Sequence, residues 1–165
     1  MIFSDEHYIV QVKVSRMTVE PKKSGFYIRR YRETDQKEII KIWLNESIKA
    51  HSFIPAEFWE GHINTMQKRY LPEAETYVAD SNGKILGFIS IVGNYVAALF
   101  VDSEYQRQRI GWALINFAHK IKGNLYVDVY KDNLAARQFY QAYGFKAKRE
   151  KVQPETGQTM LTMYI

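Results

Sequence analysis

The stretch YQRQRIGW, residues 105–112, places two arginines and a glycine between an apolar run and a helical pattern. The run VAALFV before it predicts a buried strand, and ALINFAHKIK after it predicts an amphipathic helix. The first N–H groups of a helix lack partners within the helix and favour an anion, so a pyrophosphate could bind there beside Arg107 and Arg109. A solvated surface turn also explains the stretch, and the residues of this loop alone favour that interpretation.

A second motif, NLAARQFYQAYGF at residues 133–145, follows one predicted strand later. Asn133 can cap a helix and Gly144 can end it, so a packing helix explains part of the pattern. The order of strand, Q-x-x-x-x-G, helix, strand and N-x-x-A-x-x-F-Y-x-x-x-G-F nevertheless resembles the GNAT superfamily of acyl-CoA-dependent N-acyltransferases. The resemblance extends over residues 26–165 and is densest between residues 97 and 145.

The resemblance implies that acetyl-CoA is the acyl donor and that its pyrophosphate lies on the loop from Gln106 to Gly111. Arg109 stands where the family usually has a glycine, which limits close backbone approach but adds a guanidinium. The residues implied to bind the cofactor are Leu99, Phe100, Val101, Gln106, Arg107, Gln108, Arg109, Ile110, Gly111, Trp112, Asn133, Ala136 and Tyr140. The segment AHSFIPAEFW is similar to the small bacterial YiaC-type branch, which implies acetyl transfer to an amine.

Acetyl transfer to a lysine needs a base. A lysine amine with a pKa of about 10.4 is about 0.1% neutral at pH 7, which corresponds to roughly 4 kcal/mol. Resemblance to the bacterial ribosomal-protein alanine N-acetyltransferases implies this role for Asp128, twelve residues before Tyr140, although a structural hydrogen-bonding role is equally open. His51 is the reserve base, and Tyr140 is implied to protonate the departing thiolate of CoA.

The acceptor is expected to be a primary amine, with a protein lysine or an N-terminal amine as candidates. We expect it over the loop and helix that carry His51, Phe53 and Trp59, which are also plausible core residues. The net charge of +5 suits an anionic partner, but the basic residues are dispersed, so nucleic acid is not the leading expectation. A non-catalytic CoA-sensing or basic nucleic-acid-binding module remains the alternative. The four histidines show no metal-binding spacing, so no metal is expected.

The order of predicted elements is a strand, two helices, three strands, a helix, a strand, a helix and two strands, which is a mixed α/β sheet. The resemblance implies a GNAT-like fold, with a mostly antiparallel sheet of six to seven strands, flanked by four helices and splayed between two central strands. Residues 1–25 form a predicted extension and residues 26–165 a single domain. Three local features are also predicted: a capping box from Asp35 to Glu38, an Asn82-Gly83 hairpin turn, and a second helix that ends before Pro72.

Apolar runs such as ILGFISIV are much shorter than the roughly 20 residues that span a bilayer, so no membrane association is expected. The sequence contains no cysteine, and its first residues lack a secretory pattern. A cytoplasmic protein, monomeric or homodimeric, is therefore the expectation.

Overall fold

The computed structural model describes residues 25–165, so all of the predicted N-terminal extension except Gly25 lies outside the described residues. The strands are β1 Tyr27–Arg30, β2 Glu75–Ser81, β3 Lys84–Val92, β4 Tyr95–Val101, β5 Tyr126–Tyr130, β6 Lys146–Val152 and β7 Thr159–Tyr164. The main helices are α1 Gln36–Ala50, α2 Ala56–Gly61, α3 Ile110–Lys122 and α4 Leu134–Tyr143. The strands form one seven-stranded sheet in the order β1-β2-β3-β4-β5-β7-β6.

The sheet opens between its two central strands. Every neighbouring pair is antiparallel except β4 and β5, which run parallel and share the single register pair Tyr95–Tyr126. Beyond that pair the two strands diverge, so the edge of β4 that faces β5 is open towards its carboxyl end. The predicted mixed α/β fold with a central splay is confirmed.

Helices cover both faces of the sheet. Residues of α3 and α4, such as Ile115 and Tyr140, share one buried cluster with Val127 and Val129 of β5. Residues of α1 and α2 share the opposite cluster with Tyr130. Because side chains alternate along a strand, the side chain of Asp128 projects to the face that carries α1.

The capping box predicted at the start of α1 is wrong. The Asp35 carboxylate accepts hydrogen bonds from the Arg29 guanidinium at 2.7 and 2.9 Å and from the Arg32 N–H at 2.8 Å, and it makes no capping bond to α1. Arg29 also bonds Asp80 at 2.7 Å. A buried guanidinium needs carboxylate partners, and this requirement overrides the local capping preference.

The second helix is shorter than predicted. After α2 the chain continues through separate helical segments at Ile63–Thr65, Met66–Tyr70 and Leu71–Glu73, the middle one π-helical. Pro72 lies inside the last segment rather than beyond the helix, at a first-turn position that tolerates proline. The hairpin turn is confirmed, because Asn82 and Gly83 have positive φ angles of 52° and 89°.

Candidate active site

The loop between β4 and α3 has an unusual backbone. Arg107 and Arg109 both adopt left-handed conformations, with φ angles of 61° and 63°. Glycine is the residue that takes this conformation without steric cost, which explains physically why a glycine is usual at the position of Arg109. Helix α3 begins directly afterwards at Ile110, so its unpaired N–H groups face the mouth of a cleft.

This first cleft has a volume of about 740 Å³ and runs from β4 past the loop to α4. Its lining includes ten of the residues predicted to bind the cofactor: Leu99, Val101, Gln106, Arg107, Arg109, Ile110, Gly111, Trp112, Ala136 and Tyr140. Tyr105, Ala135 and Phe139 also line it and were not predicted. A Cβ at Gly111 would lie 3.4 Å from the Phe139 ring, so the small residue lets α3 and α4 approach closely.

The composition of the first cleft fits a coenzyme with an apolar arm and an anionic diphosphate. Leu99, Val101 and Phe139 supply apolar walls, whereas Arg107 and Arg109 are exposed at the loop. The open edge of β4 offers backbone amide and carbonyl groups to the amides of an extended ligand, in the manner of an added strand.

A second cleft of about 580 Å³ lies at the splay between β4 and β5. Phe100, Asn133, His51 and Asp128 line it, whereas Gln108 lines neither cleft. The residues common to both clefts are Leu99, Val101, Gln106, Ala135, Ala136 and Tyr140. The two clefts therefore meet beside Tyr140.

Tyr140 has a hydroxyl available at this junction. Its side chain is buried, and burial raises its pKa well above the ordinary value, so the phenol stays protonated at neutral pH. Within residues 25–165 no protein group forms a hydrogen bond with this hydroxyl. The proton is therefore free to be donated to a ligand atom that reaches the junction.

Asp128 faces the second cleft but is also bonded to neighbouring strands. Its Oδ1 accepts from Thr162 Oγ1 on β7 at 2.6 Å, and its Oδ2 accepts from Lys151 Nζ on β6 at 2.6 Å. Burial, followed by the charge of Asp128, raises the pKa of Tyr95. The carboxylate is thus held in place at the cleft wall with a lysine ammonium on one oxygen.

His51 is buried and neutral. Its Nδ1 lies 2.8 Å from the Ser47 carbonyl, which can only accept, so Nδ1 carries the proton and Nε2 accepts from Asn133 Nδ2 at 3.2 Å. Burial lowers the pKa of His51 to about 3. Asn133 Oδ1 accepts from the Ala136 N–H at 3.0 Å, which confirms the predicted helix cap. His51 thereby holds the start of α4 in place.

The two aromatic residues predicted beside His51 pack around it and line neither cleft. Trp59 is 1% exposed and stacks on the His51 ring at a centroid distance of 5.0 Å. Phe53 meets the same ring edge-on at 5.8 Å and contacts Tyr130. Both residues therefore support the wall of the second cleft from behind.

Glu46 belongs to the site and was missed by sequence reasoning. Its buried carboxylate accepts from Ser103 Oγ at 2.7 Å, from Gln106 Nε2 at 3.1 Å and from Lys49 Nζ at 3.0 Å. These bonds tie α1 to the loop of the first cleft. The available signal was its position three residues after Trp43, on the apolar side of the helix.

Among residues 25–165 no group of three or more His, Cys, Asp or Glu side chains is placed to hold a metal ion. No helix within that range is long and apolar enough to cross a membrane.

Comparison with known proteins agrees with this geometry. The family profile described as the acetyltransferase (GNAT) domain matches residues 31–165. The peptidyl-lysine N-acetyltransferase YiaC of Escherichia coli K12 is 36% identical over 119 residues, which are 72% of this chain and 82% of that protein. The peptidyl-lysine N-acetyltransferase YjaB of the same strain is 30% identical over 120 residues, which are 72% of this chain and 81% of that protein.

Solved structures share the fold. The solution structure of apo YjaB from Escherichia coli matches with a TM-score of 0.76 and 27% identity, over 84% of this chain and 96% of that one. The PaiA N-acetyltransferase of Thermoplasma acidophilum, solved with coenzyme A, matches with a TM-score of 0.68 and 20% identity, over 83% and 97% of the two chains.

The sheet has seven strands and opens at its centre, beside a loop whose backbone suits a phosphate group. Two clefts meet at Tyr140. This architecture is that of a coenzyme-dependent transferase. The chain belongs to the GNAT superfamily of N-acetyltransferases. It is an acyl-CoA-dependent N-acetyltransferase, and acetyl-CoA is its acyl donor. The non-catalytic alternative left open by the sequence is therefore set aside.

Proposed function

We propose that this enzyme transfers the acetyl group of acetyl-CoA to the side-chain amine of a lysine in a protein or peptide. The charge of the second cleft carries this proposal. Glu46, Asp128 and Asp132 line the cleft together with Lys49, and Lys151 places a second ammonium on Asp128. One carboxylate therefore remains in excess, although the whole chain has a net charge of +5. A cleft with excess carboxylate attracts an ammonium group. The names of YiaC and YjaB, both peptidyl-lysine N-acetyltransferases, support the same acceptor class.

In the proposed mechanism, acetyl-CoA supplies an activated thioester, and the residues of the chain position it and move protons. The loop of residues 106–111 and the first N–H groups of α3 bind the diphosphate. The open edge of β4 aligns the arm of the coenzyme, so that the thioester reaches the junction beside Tyr140. Holding amine and thioester together supplies roughly 7 kcal/mol or more of the barrier reduction.

Asp128 is the proposed base and Tyr140 the proposed acid. The Glu46 carboxylate is committed to Ser103 and Gln106, and the basic nitrogen of His51 is committed to Asn133. Both Glu46 and Asp128 accept a lysine ammonium, from Lys49 and from Lys151. Both oxygens of Glu46 also hold the loop of the first cleft, whereas Asp128 Oδ2 accepts its ammonium at the wall of the second cleft. Asp128 therefore removes a proton from the acceptor, and the Tyr140 hydroxyl donates one to the departing sulfur.

A screen with isotopically labelled acetyl-CoA tests the acceptor class. We expect incorporation into a lysine peptide whose N-terminus is blocked, and little into a lysine-free peptide with a free N-terminus or into a polyamine. Incorporation only into the lysine-free peptide would replace the lysine proposal with N-terminal acetylation. Calorimetry with acetyl-CoA is the control, and absence of binding at high micromolar ligand would remove the enzymatic proposal altogether.

A cytoplasmic location and a monomeric or homodimeric state are also part of this proposal. The absence of cysteine from the sequence is compatible with a reducing compartment. Cell fractionation and light scattering check the two statements.

A further inference from the structure

The ammonium of Lys151 is paired with the carboxylate that we propose as the base. Lys151 Nζ lies 2.6 Å from Asp128 Oδ2, and Asp128 lines the same cleft as Tyr140. The Asp128 side chain is 8% exposed, whereas the Lys151 side chain is 42% exposed. Lys151 therefore reaches from the surface to a buried carboxylate that belongs to the cleft.

The strand order shows how this contact is made. Lys151 is on the edge strand β6, opposite Met160 of β7, and β7 separates β6 from β5. Asp128 is opposite Thr162 of β7, whose hydroxyl holds Oδ1 at 2.6 Å. The lysine side chain thus crosses one strand to bind the second oxygen, while the first oxygen is anchored. The carboxylate is thus oriented to receive an ammonium at Oδ2.

We propose that Lys151 occupies the acceptor-amine subsite of the enzyme, and that it is itself acetylated when acetyl-CoA is bound and no other amine competes. This inference rests on the proposed function and adds a modification site within the chain. It also identifies the kind of ligand that the subsite takes, which is a primary ammonium on a flexible aliphatic arm.

The proposed step balances without any further reagent. Asp128 accepts one proton from the Lys151 ammonium, and the freed lone pair on Nζ attacks the thioester carbonyl carbon. The new N–C bond forms as the C–S bond breaks, and the sulfur leaves with the electron pair and takes a proton from the Tyr140 hydroxyl. The second proton on nitrogen passes to solvent, which also restores Asp128 and Tyr140. The products are an amide at Lys151, CoA thiol and one proton.

Lys131 is a matched control within the same chain. Its side chain is 49% exposed and its Nζ lies 3.0 Å from the Glu150 carboxylate, so it resembles Lys151 in exposure and pairing. Glu150, however, is 57% exposed and lines neither described cleft. Lys131 therefore has a carboxylate partner that does not belong to the lining of either cleft, whereas the partner of Lys151 lines the second cleft.

The experiment incubates the full chain with labelled acetyl-CoA alone and follows Lys151 and Lys131 over time by peptide mass spectrometry. We expect Lys151 to be acetylated about 100-fold faster than Lys131, the lower end of what a positioned base contributes. The rate constant should be independent of enzyme concentration, and added lysine peptide should slow it. With acetic anhydride and no acetyl-CoA, Lys131 should react at least as fast as Lys151. The preference for Lys151 should therefore disappear.

Variants check that the reaction runs through this subsite. Asp128→Asn should bring the rate at Lys151 close to that at Lys131, and Lys151→Arg should abolish incorporation at this position while it keeps a cation on Asp128. Equal rate constants at the two lysines in the unaltered chain, or a rate constant that rises with enzyme concentration, would overturn the proposal. If Lys151 stays unmodified with acetyl-CoA alone, in enzyme that does acetylate an external peptide, this inference alone is overturned. No transfer to either from bound acetyl-CoA overturns the proposed function as well.

Discussion

Glu46 of α1 and Gln106 of the loop before α3 are joined by a hydrogen bond of 3.1 Å between Oε2 and Nε2. The same carboxylate accepts from the N–H and the hydroxyl of Ser103, at 3.2 and 2.7 Å. A helix beside the second cleft therefore holds the loop that forms the mouth of the first cleft. The two clefts are coupled through one buried carboxylate.

Replacement of Glu46 with glutamine should loosen this loop. One of the two acceptor oxygens becomes an NH₂ group that faces the donors of Ser103 and Gln106, so we expect a loss of about 1–3 kcal/mol in the free energy of unfolding. We also expect weaker acetyl-CoA binding. Urea unfolding and calorimetry measure the two effects.

Glu38→Gln, at a surface pair with Lys41 on the same helix, is the control and should change stability by less than about 0.5 kcal/mol. Undiminished acetyl-CoA affinity in Glu46→Gln would show that the loop holds its shape without this carboxylate.

Arg109→Gly should separate backbone strain from charge. The left-handed backbone at Arg109 costs a side chain about 1 kcal/mol, which glycine avoids, so we expect no loss of stability. Removal of the guanidinium should weaken acetyl-CoA binding and reduce its dependence on salt. Calorimetry at two salt concentrations measures this, with Arg109→Lys as the charge-preserving control. Affinity that is equal in Arg109→Gly and the unaltered protein would mean that this guanidinium does not contact the coenzyme.

Tyr140→Phe should lower kcat by about 100-fold with little change in acetyl-CoA affinity or stability. The hydroxyl has no protein partner within the described residues, so its removal leaves no buried group unsatisfied, but the departing sulfur loses its proton donor. Steady-state kinetics and calorimetry measure the two quantities. Tyr143→Phe is the matched control on the same helix, because that hydroxyl bonds with His119 and Asn116 at 3.2 and 3.4 Å. Equal turnover of Tyr140→Phe and the unaltered enzyme would reduce Tyr140 to a packing residue.

Asp128→Asn should lower kcat/KM most near neutral pH, and the defect should shrink as pH rises. At higher pH a larger fraction of the acceptor lysine is already neutral, so deprotonation by Asp128 contributes less to the rate. The pH profile of kcat/KM with a lysine peptide measures this. Asp132→Asn removes another carboxylate from the lining of the same cleft and should show no such pH trend. A defect of constant size at all pH values would assign Asp128 a structural role only.

His51 should make the fold less stable in mild acid. Its pKa of about 3 in the folded chain lies below the ordinary value of 6.5, so below about pH 6 the unfolded chain binds a proton that the folded chain does not. The unfolding free energy should then fall by about 1.4 kcal/mol per pH unit from this group. Urea unfolding over this range measures the slope, which His51→Gln should reduce and His119→Gln should leave in place. An identical slope in His51→Gln and the unaltered protein would contradict a neutral buried histidine.

Local sequence patterns determined most of the element order and the position of the loop between β4 and α3. Asn133 was predicted to cap α4 because its side chain reaches the first turn of its own helix, and Asn82-Gly83 was predicted to form a tight turn because both residues tolerate positive φ. The strand before this stretch and the helix after it were predicted in the same way, but a cofactor-binding role for the stretch was expected only from the resemblance of the two motifs to a known family. These features depend on residues within a few positions of each other, so local backbone preferences and local hydrogen bonds are enough to determine them.

Only the tertiary structure decided which polar residues share a site. Glu46 lies 60 positions before Gln106, and Lys151 lies 23 positions after Asp128, yet each pair is hydrogen-bonded. Asp35 was expected to cap its own helix but binds Arg29, because a buried guanidinium left without a carboxylate would be an uncompensated charge, which costs more than a cap contributes. The register of the sheet and the divergence of β4 from β5 bring such residues together. The register and the divergence arise from the packing of both helix layers against one sheet, which no local pattern encodes.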